Sequence, residues 1–217
     1  MAGVRARAPA RERLLDAAEE LFYEGGIAAT GVDAVLRRAH VAPATLYAHF
    51  AGKDHLVAAY LRRRHERWRA TWDEVLQRCG DDPVKRALSV FDALDEFHRQ
   101  AETTRGCAFL AAAVEVTEPQ HPAQQWLAAD TELLADRLYA LAAATSAADP
   151  GALATELFLL YDGALAARIR RAITTNGGRP TPLSPRALAT AAIARHRDSG
   201  RKAGLLTRGQ SAHDEQA

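Results

Sequence analysis

The chain reads as all-α: a small three-helix head followed by a larger helical body, about nine helices in all. Three observations carry that reading. Apolar residues recur at three- and four-residue spacing through most of the length. Gly and Pro punctuate the gaps between those stretches, and no segment reads persuasively as a strand or an internal repeat. At 217 residues and 48% hydrophobic content, the chain can bury a core in one large domain or in a small one plus a larger one.

Residues 1–10 read as a flexible arm carrying Arg5 and Arg7. Such an arm either reaches phosphate or a minor groove or is simply a disordered terminus. From Arg11 to Glu24, the residues Leu14, Leu15, Ala18, Leu21 and Phe22 make an amphipathic helix that Gly25-Gly26 stops. Thr30-Gly31-Val32-Asp33 offers the next start, and Val32, Val35, Leu36 and Ala39 continue the stripe to a turn at His40. Ala42 and Pro43 then open a very short helix, with Pro at the first helical position where its missing N–H costs nothing. Leu46 and Phe50 share one face of it, while Thr45, Tyr47 and His49 project elsewhere with hydroxyl or imidazole ends. So brief a helix has no stability of its own and must be held by its neighbours. Two helices joined by a tight turn form a helix-turn-helix, whose second helix enters the DNA major groove while the first crosses the backbone.

Residues 11–57 resemble the DNA-binding domain of the TetR family of one-component transcriptional regulators. Ala17, Leu21, Phe22, Gly25, Thr30, Val35, Ala39, Val41, Thr45, Leu46, Tyr47, Phe50, Lys53 and Leu56 carry the resemblance. The run TLYAHF followed by Lys53 is more specific than a generic helix-turn-helix pattern. Two positions depart from it. His40 stands where Gly is usual, and His is among the residues that tolerate a left-handed turn. Ala42 replaces the usual Ser or Thr cap, a loss of about 1 kcal/mol that Pro43 partly offsets by restricting the unfolded chain.

Lys53 opens a long helix to about Cys79, with Leu56, Val57, Tyr60, Leu61, Trp68, Trp72, Val75 and Leu76 on its apolar stripe. Its basic segment, Arg62, Arg63, Arg64, Arg67 and Arg69, reads as a solvated face. Asp82-Pro83 caps the next helix, Pro83 to Glu102, and Cys107 to Thr117 is shorter and almost wholly apolar. Ala123 to Thr145 is a long amphipathic helix. Another runs from Gly151 to Thr174 and is closed by Asn176-Gly177-Gly178 and a Pro-rich loop. Ser184-Pro185 starts the last, to about Ser199, leaving residues 200–217 as a disordered tail. The domain reading is therefore 1–10 arm, 11–57 DNA-binding head, 58–199 ligand-binding and dimerisation body, and 200–217 tail.

The net charge of +1 hides an asymmetry. Residues 1–70 carry 12 Lys or Arg against 8 Asp or Glu, and the remainder 16 against 19, which suits a nucleic-acid head on a body that avoids phosphate. Cys79 and Cys107 have no CxxC and no His at ligand spacing, so they read as small buried residues of a reducing compartment rather than a disulfide or zinc site. The start lacks the apolar core of a secretory signal, and the longest apolar run, Cys107 to Val114, is too short for a membrane span. The expected location is the cytoplasm, with no membrane partner and no cofactor.

The resemblance implies a homodimer that binds a roughly palindromic operator on double-stranded DNA and is released by a small-molecule effector. In the head, Ala44 and Thr45 are assigned to base edges; Tyr47, His49 and Lys53 are assigned to phosphate. In the body, Trp68, His98, Trp126, Tyr161 and Asp162 are polar or aromatic residues on inward stripes, suited to a mostly apolar pocket and equally to a packed core. The resemblance places the dimer bundle on the last two long helices. There the small residues Gly163, Ala164, Ala167, Ala187, Ala191 and Ala194 permit close approach. No GxSxG, HExxH, Walker A or dinucleotide fingerprint is present. An activator or ligand-independent DNA binder on the same fold remains the alternative, with an enzyme using the body pocket the more distant one.

Overall fold

The computed structural model describes residues 8–100, 106–173 and 184–214. Among these residues it forms nine helices and no strand: α1 (Ala10–Gly25), α2 (Val32–Ala39), α3 (Pro43–His49), α4 (Lys53–Arg78), α5 (Pro83–Gln100), α6 (Ala108–Glu115), α7 (Gln124–Ala144), α8 (Pro150–Ile173) and α9 (Pro185–Asp214). Arg5, Arg7, Arg105, the Asn176-Gly177-Gly178 stop and the Pro-rich loop after it lie outside the described residues.

One boundary differs markedly from the sequence reading. α9 continues to Asp214 through the stretch read as a tail. Once a helix is nucleated each further residue adds a bond for the dihedrals it fixes, and 200–214 contains no Pro to stop it. α2 starts at Val32, within the Thr30-Gly31-Val32-Asp33 stretch that offers its start. Gly31 holds the N-cap position without a side-chain bond, and the Thr30 hydroxyl donates within the α1–α2 turn, 2.7 Å from the Gly26 carbonyl and 3.2 Å from that of Leu21.

The chain divides into two compact units, Met1–Arg67 with Cys107–Asp130, and Trp68–Gly106 with Thr131–Ala217. In the first, Leu14, Leu15, Ala18 and Phe22 of α1 meet Val35, Leu36 and Ala39 of α2, Leu46 of α3, Leu56, Val57, Tyr60 and Leu61 of α4, and Phe109 and Ala112 of α6. Phe22 and Tyr60 meet edge to face at 5.8 Å. Each such Leu, Val or Phe removed from water contributes roughly 1.5–3 kcal/mol.

The basic segment of α4 is not simply solvated. Glu12, Asp16 and Glu19 follow one another along one face of α1. Arg63 pairs with Asp16 and Glu19 at 2.7 Å, and Arg64 and Arg67 also reach Glu19. Arg62 and Arg69 stay exposed. In the second unit α8 packs on α9, and both pack on α5. The Trp72 indole donates to the Ser89 hydroxyl at 2.8 Å, while Arg137 lies over the Trp72 ring and pairs with Asp73. Cys79 and Cys107 are free and only partly buried.

Candidate nucleic-acid interface

The turn between α2 and α3 is made by His40, whose φ of 52° and ψ of 52° are left-handed, as its place in the turn requires. The Val41 N–H returns to the Leu36 carbonyl at 3.2 Å and closes the end of α2. Pro43 occupies the first turn of α3, and Ala42 at its N-cap makes no side-chain bond, so the missing cap read from the sequence is real. α3 is seven residues long. Leu46 and Phe50 are buried beneath it, and the Phe50 N–H on the Leu46 carbonyl at 2.8 Å closes it.

The other side of α3 is open. Ala44 and His49 are exposed, Thr45 is half-buried, and Tyr47 is 63% exposed. Lys53 stands half-buried at the start of α4. Thr45, Tyr47 and Lys53 make no side-chain hydrogen bond or ion pair with other described residues. The structure thus brings the five head residues onto one short helix and the helix mouth that follows it. It adds Arg37, which the sequence reading did not single out. Arg37 lies in the last turn of α2, exposed and in no ion pair among the described residues, and with Asp33, His40 and Pro43 it lines an open cleft of about 490 Å³. Its neighbour Arg38 is committed to Glu20 at 2.6 Å. A basic residue closing the first helix of a helix-turn-helix was the available signal.

Trp68, Tyr161, His98 and Asp162 fall in the second unit. Trp68 and Tyr161 are buried with ring centroids 5.9 Å apart, and Phe97 and Trp72 each lie 5.6 Å from Trp68. His98 is buried, its Nδ1 2.9 Å from the Leu94 carbonyl. Asp162 is half-buried, and burial raises its carboxyl above the usual range. Trp126 belongs to the first unit and lies 5.9 Å from His65. That neighbourhood holds a buried polar group the sequence reading missed: Arg64, His65 and Asp130, with His65 Nδ1 3.8 Å from the Asp130 carboxylate. Burial pushes the Asp130 carboxyl up to about 7, with Arg64 opposing.

On α8, Gly163 is exposed beside Leu159 (67%), and Ala167 is half-buried. Ala164 differs from the others in the small-residue set, because it turns inward and is buried within its own unit. On α9, Ala187, Ala191 and Ala194 share an exposed face with Leu188. No described helix is long and apolar enough to cross a membrane.

The family model of bacterial regulatory proteins, tetR family, matches residues 14–60. Among curated relatives, the transcriptional repressor KstR of Mycolicibacterium smegmatis is 38% identical over 84 residues, 39% of this chain and 41% of that protein. The transcriptional activator FasR of the same organism is 32% identical over 131 residues, 60% of this chain and 58% of that protein. The chain thus spans less than two thirds of the length of these curated relatives. Of solved structures, SCO4454, a TetR-family transcriptional regulator from Streptomyces coelicolor, superposes with a TM-score of 0.68 at 30% identity, covering 88% of this chain and 93% of that one.

Proposed function

This chain belongs to the TetR family of bacterial transcriptional regulators, and we propose that within it the protein acts as a homodimeric repressor released from a palindromic operator by a small-molecule effector. The observation that carries the reading is α3. One face is anchored by buried Leu46 and Phe50, and the other presents Ala44, Thr45, Tyr47 and His49 beside Lys53. In this reading residues 11–57 are the DNA-binding head and 58–199 the ligand-binding and dimerisation body. Thr45, with Ala44, offers a methyl and a hydroxyl to base edges. Tyr47, His49, Lys53 and Arg37 hold phosphate, which positions the head without specifying sequence.

Two half-sites roughly 34–36 Å apart require two recognition helices, hence a symmetric dimer. The exposed Ala187, Ala191 and Ala194 on α9 and Gly163 on α8, with Leu159 and Leu188 among them, support helix-on-helix dimer contact there. The effector site is proposed around Trp68, His98, Tyr161 and Asp162, all within the second unit. An effector works only if it binds the DNA-free geometry more tightly than the DNA-bound one. The relatives are regulators, which supports a non-catalytic role, and their business with DNA supports a cytoplasmic location.

A second reading keeps the fold and makes the protein an activator, favoured by the longer match to a relative named as one. Selection of bound duplexes from a random pool, followed by titration of the best against salt, tests the DNA reading. An inverted repeat with a steep salt slope is expected; recovery of no duplex above background overturns it. Mapping that repeat against the promoter it controls then separates repressor from activator.

A further inference from the structure

Glu115, the last residue of α6, has an unfavourable place in its own helix. A carboxylate at a helix C-terminus faces the negative end of the dipole, and α6 has no basic residue in its last turn to offset it. Its partner lies far away in sequence. Glu115 Oε2 accepts the Ala28 backbone N–H at 2.5 Å, in the turn between α1 and α2. That amide belongs to no helix, and the carboxylate is the partner it finds.

The turn is shaped to admit it. Gly26 has a φ of +91°, and a Cβ placed there would stand 3.2 Å from Glu115 Oε1. Glycine suits the positive φ of this turn, and a Cβ would crowd the carboxylate. A second contact comes from the segment that follows α6. His121 Nδ1 accepts the Ala123 N–H at 3.0 Å, which turns Nε2 toward Asp54 Oδ1 at 3.4 Å, in the first turn of α4 beside Lys53. Ala28 lies just before α2 and Asp54 just after α3. The α6–α7 segment thus touches the chain on both flanks of the two DNA-reading helices, and all of these residues belong to the same compact unit.

We propose that this segment is a two-point brace that sets the pose of α2 and α3, with Glu115 as the positioning residue for DNA recognition. The proposal rests on the DNA-binding reading above. Glu115 touches no DNA itself. Its contribution is read as affinity lost without any change in the number of phosphates contacted.

The test uses the full-length chain as wild type, Glu115→Ala and Glu115→Gln. Two quantities are measured: hydrogen–deuterium exchange of the peptide spanning residues 24–31, and affinity over a range of salt for the duplex that the wild type selects. In Glu115→Ala, exchange of the turn should rise by about tenfold while α1 and α3 keep their protection. Affinity should fall by about tenfold with the salt slope unchanged. Glu115→Gln keeps an acceptor oxygen and should restore both to within about threefold. A role confined to stability would lower the unfolding midpoint without singling out the turn and without rescue by Gln. Unchanged exchange and affinity in Glu115→Ala, or a Gln variant as impaired as the Ala one, overturns the brace while leaving the DNA reading intact. A wild type that selects no duplex overturns the DNA reading and the positioning role together.

Discussion

The two units begin their helices differently. In the first, α1, α2, α3 and α6 start at Pro9, Gly31, Ala42 and Cys107, and none of these makes a side-chain cap. In the second, Asp82 caps α5, Asp149 caps α8 and Ser184 caps α9, each accepting a first-turn N–H at 2.9–3.0 Å. The reading helices are therefore held by what surrounds them: the shared apolar core, the ion pairs that tie Glu19 of α1 to Arg63, Arg64 and Arg67 of α4, and the Glu115 contact. The body helices carry their own start signals. A head held by tertiary contacts can be re-posed by moving a neighbour, whereas a helix fixed by its own cap responds less.

The largest effect should come from removing tertiary support under α3. Leu46 and Leu138, in the first and second units, are both fully buried, and truncation to Ala at either should cost about 2–5 kcal/mol in urea unfolding. Their consequences for DNA should part. Leu46→Ala should abolish specific binding, because a seven-residue uncapped helix has no local stability to fall back on. The folded fraction of Leu138→Ala should bind as wild type does. Equal loss of DNA affinity in both variants would break the contrast between the units.

That contrast also governs what the sequence made legible. The head was readable because a short helix must declare itself. Pro43 marks its start, Leu46 and Phe50 its buried side, and His40 its turn, and each appears where the periodicity puts it. The starts of the second unit's helices were equally readable from their caps and stripes, whereas the end of α9, which runs on to Asp214, was not. The residues assigned to an effector pocket were not, since Trp68, with the Tyr161 ring tilted against it and the Phe97 ring edge-on, has the same spacing whether it lines a ligand or fills a core. The ion pairs of Arg63, Arg64 and Arg67 with Glu19 were missed because they join α1 to α4 across 44–48 residues. No local pattern reports such a pairing. The same holds for Glu115 with Ala28 and for Asp130 beside His65.

Asp130 supplies the next effect. Its folded carboxyl is raised from an ordinary 3.8 to about 7 by burial, so the folded chain holds a proton that the unfolded chain has released. Stability from this group is therefore greatest at low pH and declines as pH rises from about 4 through 7. Between pH 5 and pH 8 the decline amounts to about 3 kcal/mol, on the order of 1.4 kcal/mol for each pH unit spent between the two values. Arg64, His65 and Cys107 share the neighbourhood, and Asp130→Asn isolates the carboxyl from them. The variant should flatten this part of the pH profile of the urea midpoint. Asp162→Asn, at a half-buried site in the second unit whose carboxyl is also raised by burial, should alter the slope less. Identical slopes in wild type and Asp130→Asn would mean that the carboxyl is already ionised in the folded chain.

The smallest effect tests the capping contrast itself. Ala42→Ser supplies the hydroxyl that α3 lacks. The site already has the extended backbone of an N-cap, with φ −75° and ψ 152°, so the new oxygen can accept the N–H of Ala44 or Thr45 without rearrangement and should add about 1 kcal/mol to unfolding stability. Ser184→Ala removes an existing cap from α9 and should cost about the same. The informative quantity is what happens on DNA. If tertiary contacts alone pose α3, Ala42→Ser should raise stability and leave the operator affinity within about threefold of wild type, because the helix was already in place. If instead α3 frays in the free protein, the same substitution should tighten binding by about the factor that its stability gain predicts, roughly fivefold for 1 kcal/mol. A gain of that size would show that part of the binding free energy of the wild type goes to ordering α3, and that the missing cap at Ala42 tunes affinity as well as stability.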